Sequence, residues 1–196
     1  MVLLLCCTLM WSISGVLIKQ IPWNAAVIAG FRSLIAGGVM ALYIKVRRIG
    51  FRIDRVAAIS GMLLSGMFLC FTLANKLTTA ANAIVIQSSA PAFVLVYNVV
   101  FRKQRIRRID LIAVILTLIG ISIFFFDQLT PVRLLGNFVA LVAGVLLAGS
   151  YIVTFGSQEQ SCMTGLFLPH GITPVLGIPL ALFLPPRFAL GAVCGF

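Results

Sequence analysis

Residues 79–108 read TAANAIVIQSSAPAFVLVYNVVFRKQRIRR, an apolar run that ends against a cluster of Arg and Lys. No residue from Thr79 to Phe101 carries a charge. A run of about 20 apolar residues is what a helix needs to cross about 30 Å of hydrocarbon. The basic residues that follow, Arg102, Lys103, Arg105, Arg107 and Arg108, mark an abrupt return to water. The fold class that follows is an all-α integral membrane protein.

Reading outward in both directions, the same kind of run recurs at residues 2–18, 25–44, 56–74, 110–126, 134–155 and 163–184. With 79–101 these make about seven transmembrane helices, and residues 188–196 read as the start of an eighth. The composition agrees: 61% hydrophobic and 10% charged residues, against roughly 45–50% and 25% in soluble domains. The connectors are short, with Pro22 in the first and Pro131 in the fifth, and leave no room for a soluble domain. The run from Val2 has neither a basic n-region nor a cleavage site, so it reads as a retained helix rather than a signal peptide.

The formal net charge of +11 does not point to nucleic acid, because ten of the fifteen Lys and Arg sit in two connectors. One cluster is Lys45, Arg47, Arg48, Arg52 and Arg55; the other is the cluster after Phe101. Basic loops stay cytoplasmic and touch anionic lipid. The N-terminus is therefore expected inside and the even-numbered connectors cytoplasmic. A seven-helix receptor would need its basic loops after the first, third and fifth spans, so that class is excluded. Cys6, Cys7, Cys70, Cys162 and Cys194 contain no CxxC pair and read as packing residues, not a metal or disulfide set.

Shifting the sequence by 138 positions sets Ser12 on Ser150 and Arg32 on His170. If a repeat restarts at the sixth span, five helices make one unit, and an odd unit inserts its second copy upside down. Inverted repeats with a site between the copies belong to secondary transporters. The expected division is a first repeat at 1–128 and the start of a second at 129–196.

Candidate cavity residues follow from polar or helix-breaking groups at membrane depth. Arg32, in GFRSLIAGG, costs several kcal/mol in lipid unless it snorkels or finds a partner. Its helix also carries a ladder of small residues, Ala29, Ser33, Gly37 and Ala41, suited to close helix contact. Trp11, Ser12, Gly15 and Lys19 fall within an arc of about 100° in the first span; plain packing and a boundary lysine are the alternatives. In the fourth span Gln87, Pro91 and Asn98 share a face within about 40°. Pro91 removes the bond to the carbonyl of Gln87 and kinks the helix, and the freed acceptor needs Ser88, a neighbour or water. Pro169, Pro174 and Pro179 make the seventh span the least regular and a candidate hinge. His170, the single histidine, is a titratable group or a structural one. The sixth span carries a small-residue seam, Ala140, Gly144 and Ala148. The middle of the spans holds no Asp or Glu, and no Walker A loop, Ser-His-Asp set or HExxH helix occurs. Neither an enzyme, nor a metal, nor a cofactor is indicated.

LMWSISGVLIK at 9–19, AGFRSLIAGG at 29–38 and the stretch from Thr78 through ISIFF at 121–125, in this order and spacing, resemble the EamA family of the drug/metabolite transporter superfamily. The resemblance implies ten helices in two inverted five-helix repeats that move small metabolites, such as amino acids or organic anions, by alternating access across the plasma or inner membrane, commonly as exporters. It places Trp11, Ser12 and Lys19, Arg32, and Ser88 with Pro91 on the family's Trp-Ser, Phe-Arg and Ser-x-x-Pro features. By that pattern the chain is truncated after the seventh helix, with a second copy of the chain as a candidate partner. A cavity lined by spans one, two, four and seven is expected, and a non-transporting truncated membrane protein or helical subunit is the alternative.

Overall fold

The computed structural model describes residues 13–15, 17, 18, 20–103, 107–126 and 130–183. Among these every regular element is a helix: α1 Ala25–Arg47, α2 Arg55–Leu77, α3 Ala80–Gln87, α4 Ala90–Val100, α5 Arg108–Phe126, α6 Pro131–Thr154 and α7 Glu159–Phe183. Ile13, Ser14, Gly15, Leu17, Ile18 and Gln20 are also helical; the rest of the first span lies outside the described residues. Four spans are long and apolar enough to cross a membrane among the described residues: α1, α2, Ala80–Val100 and α6. The 23 residues of α1 reach about 34 Å at 1.5 Å per residue.

Local chemistry sets the helix starts. Asn24 caps α1 by accepting the Ala26 N–H at 3.2 Å, Asp54 caps α2 through Ala57 at 2.8 Å, and Thr79 caps α3 through Asn82 at 3.1 Å. Each short polar side chain meets a donor that the first helical turn leaves unpaired. Pro131 opens α6, where its missing N–H costs no helical bond. Arg48 ends α1 in the left-handed region at φ 51°.

The fourth span differs from the continuous kinked helix expected. It is two helices separated at Ser88 and Ser89, and Pro91 lies in the first turn of α4. The Ser89 N–H donates to the Ile86 carbonyl, a tightened bond that shifts the helical phase. Gln87 is therefore buried, Pro91 exposed and Asn98 partly buried, so the three do not present one face. α7, expected to be the least regular helix, runs continuously through all three of its prolines.

The packing is that of a protein whose solvent is lipid. Small and polar side chains fill the interior: Ser60, Ser65, Thr72, Asn75, Asn137 and Thr173 are buried. Large aliphatic ones such as Val39, Leu42 and Ile109 face outward. In lipid, helices are held by close van der Waals contact and polar pairs rather than by removal of apolar surface from water. α2 is the central helix, packed against α6 and α7, and α7 also packs along α1. Gly37 lies at His170 and Gly177 at Ala26, so α1 and α7 are antiparallel. The α6 seam is buried at Ala140, Gly144 and Ala148. A Cβ on Gly144 would stand 3.0 Å from Ser89 Oγ and 3.2 Å from the Gln87 carbonyl, so the seam is what lets α6 reach the break between α3 and α4.

The connectors sort to two ends. At one end the Lys76 ammonium donates to the Ile21 carbonyl, and Thr78 Oγ1 donates to Asn137 Oδ1 at 2.8 Å. These join the first and third connectors to the start of α6. At the other end the second, fourth and sixth connectors meet: Arg52 bonds to Thr164 and Gln158, and the Arg102 guanidinium lies 4.9 Å over the Phe155 ring. The odd and even connectors thus occupy opposite ends of the bundle, as membrane topology requires.

Candidate substrate cavity

A cavity of about 610 Å³ lies between the first-span residues and α1. One wall is Ile13, Ser14, Leu17 and Ile18; the other is Ile28, Phe31, Arg32 and Ile35; Ile21 and Trp23 bound it at the first connector. It occupies the half of the bundle that carries the odd connectors. Arg32 is seven residues past the start of α1, about 10 Å along the helix. A pocket of this size suits a small organic molecule.

Arg32 is the single charged residue among the described lining residues. Its guanidinium carbon stands 5.4 Å from the centre of the Phe68 ring on α2, and no hydrogen bond or carboxylate reaches it among the described residues. A cation over an aromatic face is attracted by the ring quadrupole, by about 0.5–2 kcal/mol. Among the described residues no acceptor engages the guanidinium N–H donors, and Arg32 lines the cavity. His170 on α7 stacks on the same Phe68, 5.4 Å between ring centres and 28° between planes, and its Nδ1 is buried without a hydrogen-bond partner among the described residues. Phe68 therefore joins Arg32 and His170, the pair that the 138-residue shift superposes.

The other candidate residues are placed elsewhere. Trp11, Ser12 and Lys19 lie outside the described residues. Gln87 does not line the cavity: its amide donates to Met67 Sδ at 3.3 Å. Ser88 Oγ donates to the Ile84 carbonyl at 2.8 Å, one turn back from the Gln87 carbonyl it was expected to serve. Pro91, Asn98 and His170 are not among the lining residues either. The described walls of this cavity come from the first span, its connector and α1. Gln87, at the break before Ser88–Ser89, meets α2 and α6, and Phe68 contacts both His170 and Arg32.

At the even-connector end the chain between α1 and α2 is tied to the start of α7. Asp54 Oδ2 accepts the Ser161 hydroxyl at 2.6 Å, while its Oδ1 caps α2. Arg52 reaches to 3.9 Å from Asp54 Oδ2 and donates through its side chain to Gln158. Its main-chain N–H donates to Thr164 Oγ1 at 3.1 Å. Phe51 packs edge-on against Phe167, ring centres 5.2 Å apart. The Ser161 hydrogen bond foremost, then the Ala57 N–H and the Arg52 charge, holds the Asp54 carboxyl below the usual carboxylate range. Hydrogen bonds and a nearby cation both favour the charged form. This latch joins residues more than 100 positions apart in the sequence.

Two functional elements escaped sequence reasoning. Phe68 is one of fifteen phenylalanines, and nothing in its neighbourhood marks it as the partner of Arg32. Asp54 reads only as an acid in a basic connector; that it has no acidic neighbour in its cluster was the available signal.

The family model described as EamA-like transporter family matches residues 1–126 of the 196. No curated protein and no solved structure matches the chain.

Proposed function

The chain belongs to the EamA-like transporter family, and on that premise we propose that it exports small metabolites, amino acids or organic anions, across the plasma membrane by alternating access. It is a multi-pass helical membrane protein and a transporter of the drug/metabolite superfamily. The observation that carries the finer reading is the contrast between the two ends. One half holds a cavity with a guanidinium that no acceptor among the described residues meets, and the other is tied across by the Asp54–Ser161 latch. Alternating access needs that asymmetry, a site open on one side while the other is sealed.

The orientation we propose puts the basic connectors and the N-terminus in the cytoplasm, in contact with anionic lipid. The cavity then faces outward. We read residues 1–128 as one five-helix repeat and 129–196 as the start of its inverted copy. What supports this is the odd number of helices per unit and the antiparallel contact of α1 with α7. His170, Gln87, Ser88, Pro91 and Asn98 are assigned here to the scaffold behind the site, and Arg32 to the solute.

The test is counterflow in proteoliposomes over a panel of labelled amino acids and organic anions, with Arg32→Ala beside the wild type. Saturable exchange of at least one solute, lost in Arg32→Ala while the variant still elutes as a folded particle, is the expected result. Exchange no faster than in protein-free vesicles for every solute overturns the transporter reading. Unchanged exchange in the variant overturns the role of Arg32.

A further inference from the structure

We infer that the cavity at Arg32 is built for an amphipathic monoanion, an apolar body carrying one carboxylate or similar group, and selects against a solute that also carries an ammonium. The inference rests on the cavity being the solute site proposed above, and narrows what that site accepts.

The walls set the first requirement. Apart from Ser14 and Arg32, every described lining residue is apolar. Binding there is favourable only for a molecule that hides apolar surface from water, at roughly 25 cal/mol per Å². A small, fully polar solute gains nothing from Ile18, Ile28 or Phe31 and loses its hydration.

Arg32 sets the second. A cation at this depth, offset among the described residues by the ring of Phe68, is a standing cost. An anion that reaches it forms a charge-assisted pair, the strongest polar contact available to the site. Among the described residues no acceptor competes for the guanidinium N–H donors that a planar carboxylate would take.

The acidic inventory sets the third. The acidic side chains of the sequence are Asp54, Asp110, Asp127 and Glu159. None precedes residue 54, so neither the first span nor α1 can supply a counter-charge. The ammonium of a zwitterion would enter an apolar cavity beside a guanidinium of like charge, with the Ser14 hydroxyl as the one neutral acceptor among the described lining side chains. Desolvating an unpaired ammonium is among the most costly events in such surroundings.

The test uses one aromatic body with four head groups: 3-phenylpropanoate, L-phenylalanine, 2-phenylethylammonium and the neutral 3-phenylpropanamide. Each is titrated by calorimetry into the full chain in phosphatidylcholine nanodiscs. The expected order places the anion about tenfold or more ahead of the zwitterion, a step of about 1.4 kcal/mol, with the cation weakest. Arg32→Gln is expected to bring the anion down to the level of the amide while amide binding stays as in the wild type, which shows that the cavity is intact. Phenylalanine binding as tightly as 3-phenylpropanoate overturns the inference, and so does an anion preference that survives Arg32→Gln. Repetition in phosphatidylglycerol discs separates the sources of the anion: binding of 3-phenylpropanoate abolished there assigns Arg32 to a lipid headgroup and overturns a solute role. Binding in the expected order without flux removes the transporter reading and leaves the inference standing. Flux of phenylalanine with no binding of 3-phenylpropanoate does the reverse.

Discussion

Gly136→Ala tests the tightest contact between α2 and α6. A Cβ at this position would stand 2.8 Å from the Thr78 Cβ and main-chain nitrogen and 2.9 Å from the Leu77 carbonyl carbon. Carbon atoms pack best at about 3.5–4.0 Å, so the added methyl overlaps its neighbours by about 0.7 Å. Two of those neighbours are main chain at the end of α2 and cannot rotate away. Relief requires the first turns of α6 to retreat, which stretches the 2.8 Å Thr78–Asn137 hydrogen bond toward the limit of a real bond. Overpacking costs about 1–3 kcal/mol and the weakened bond about 0.5–1.5 kcal/mol, while Ala in place of Gly inside a helix returns about 1 kcal/mol. The expected net loss is about 2 kcal/mol. Gly38 and Gly120 are the controls, since nothing among the described residues lies within 4 Å of a Cβ there. Ala at either is expected to be neutral or to stabilise by up to about 1 kcal/mol. Unfolding by SDS titration in mixed micelles reads all three. Gly136→Ala unfolding at the same SDS fraction as Gly38→Ala would refute the packing of α6 on the end of α2.

Three further outcomes are expected. The Asp54 carboxyl is held below its ordinary range, so the stabilisation from the latch is fully present above the unfolded carboxylate pKa and lost as pH falls through the lower, folded value. Thermal midpoints should hold from pH 7.5 to 5 and drop only in stronger acid, and Ser161→Ala should move that acid drop to higher pH; an identical profile in the variant counts against the hydrogen bond. Phe68→Leu removes the ring under Arg32 and is expected to weaken binding of an anionic solute severalfold, read by calorimetry, because the guanidinium loses the face that orients it. Thr173→Val deletes the partner of Ser65, 2.9 Å away and fully buried, and should lower unfolding stability by about 1 kcal/mol; no loss in the SDS titration would argue that α2 and α7 are not paired there.

The helix ends were legible because the bilayer fixes a length and short polar residues cap it. Runs read at 25–44, 56–74 and 134–155 correspond to Ala25–Arg47, Arg55–Leu77 and Pro131–Thr154; the additions are the last turns of the first two, 45–47 and 75–77, together with Arg55 and the opening turn of the third from Pro131. The small-residue ladders were legible for the same kind of reason, since close approach leaves Gly and Ala at fixed spacing. Arg32 stood out as a charge at membrane depth. What stayed hidden depends on which helix meets which. The interruption at Ser88–Ser89 lies against Gly144 of α6, a contact that the sequence of the fourth span does not announce. His170 was set on Arg32 by the repeat, but only the fold shows Phe68 in contact with both. The latch is a contact between a connector and a helix start, and neither has a pattern that names its partner.

The central claim is that solute crosses by way of the Arg32 cavity only when the even-connector end can open. In a background free of the native cysteines, Asp54→Cys with Ser161→Cys places two thiols where a hydroxyl and a carboxylate now meet at 2.6 Å, close enough for a short reducible cross-linker. The decisive measurement is efflux of 3-phenylpropanoate from proteoliposomes holding this variant, before cross-linking, after it, and after reduction in the same vesicles. The account expects saturable efflux, its arrest on cross-linking and its return on reduction. Efflux that continues at full rate with the latch bridged would contradict it.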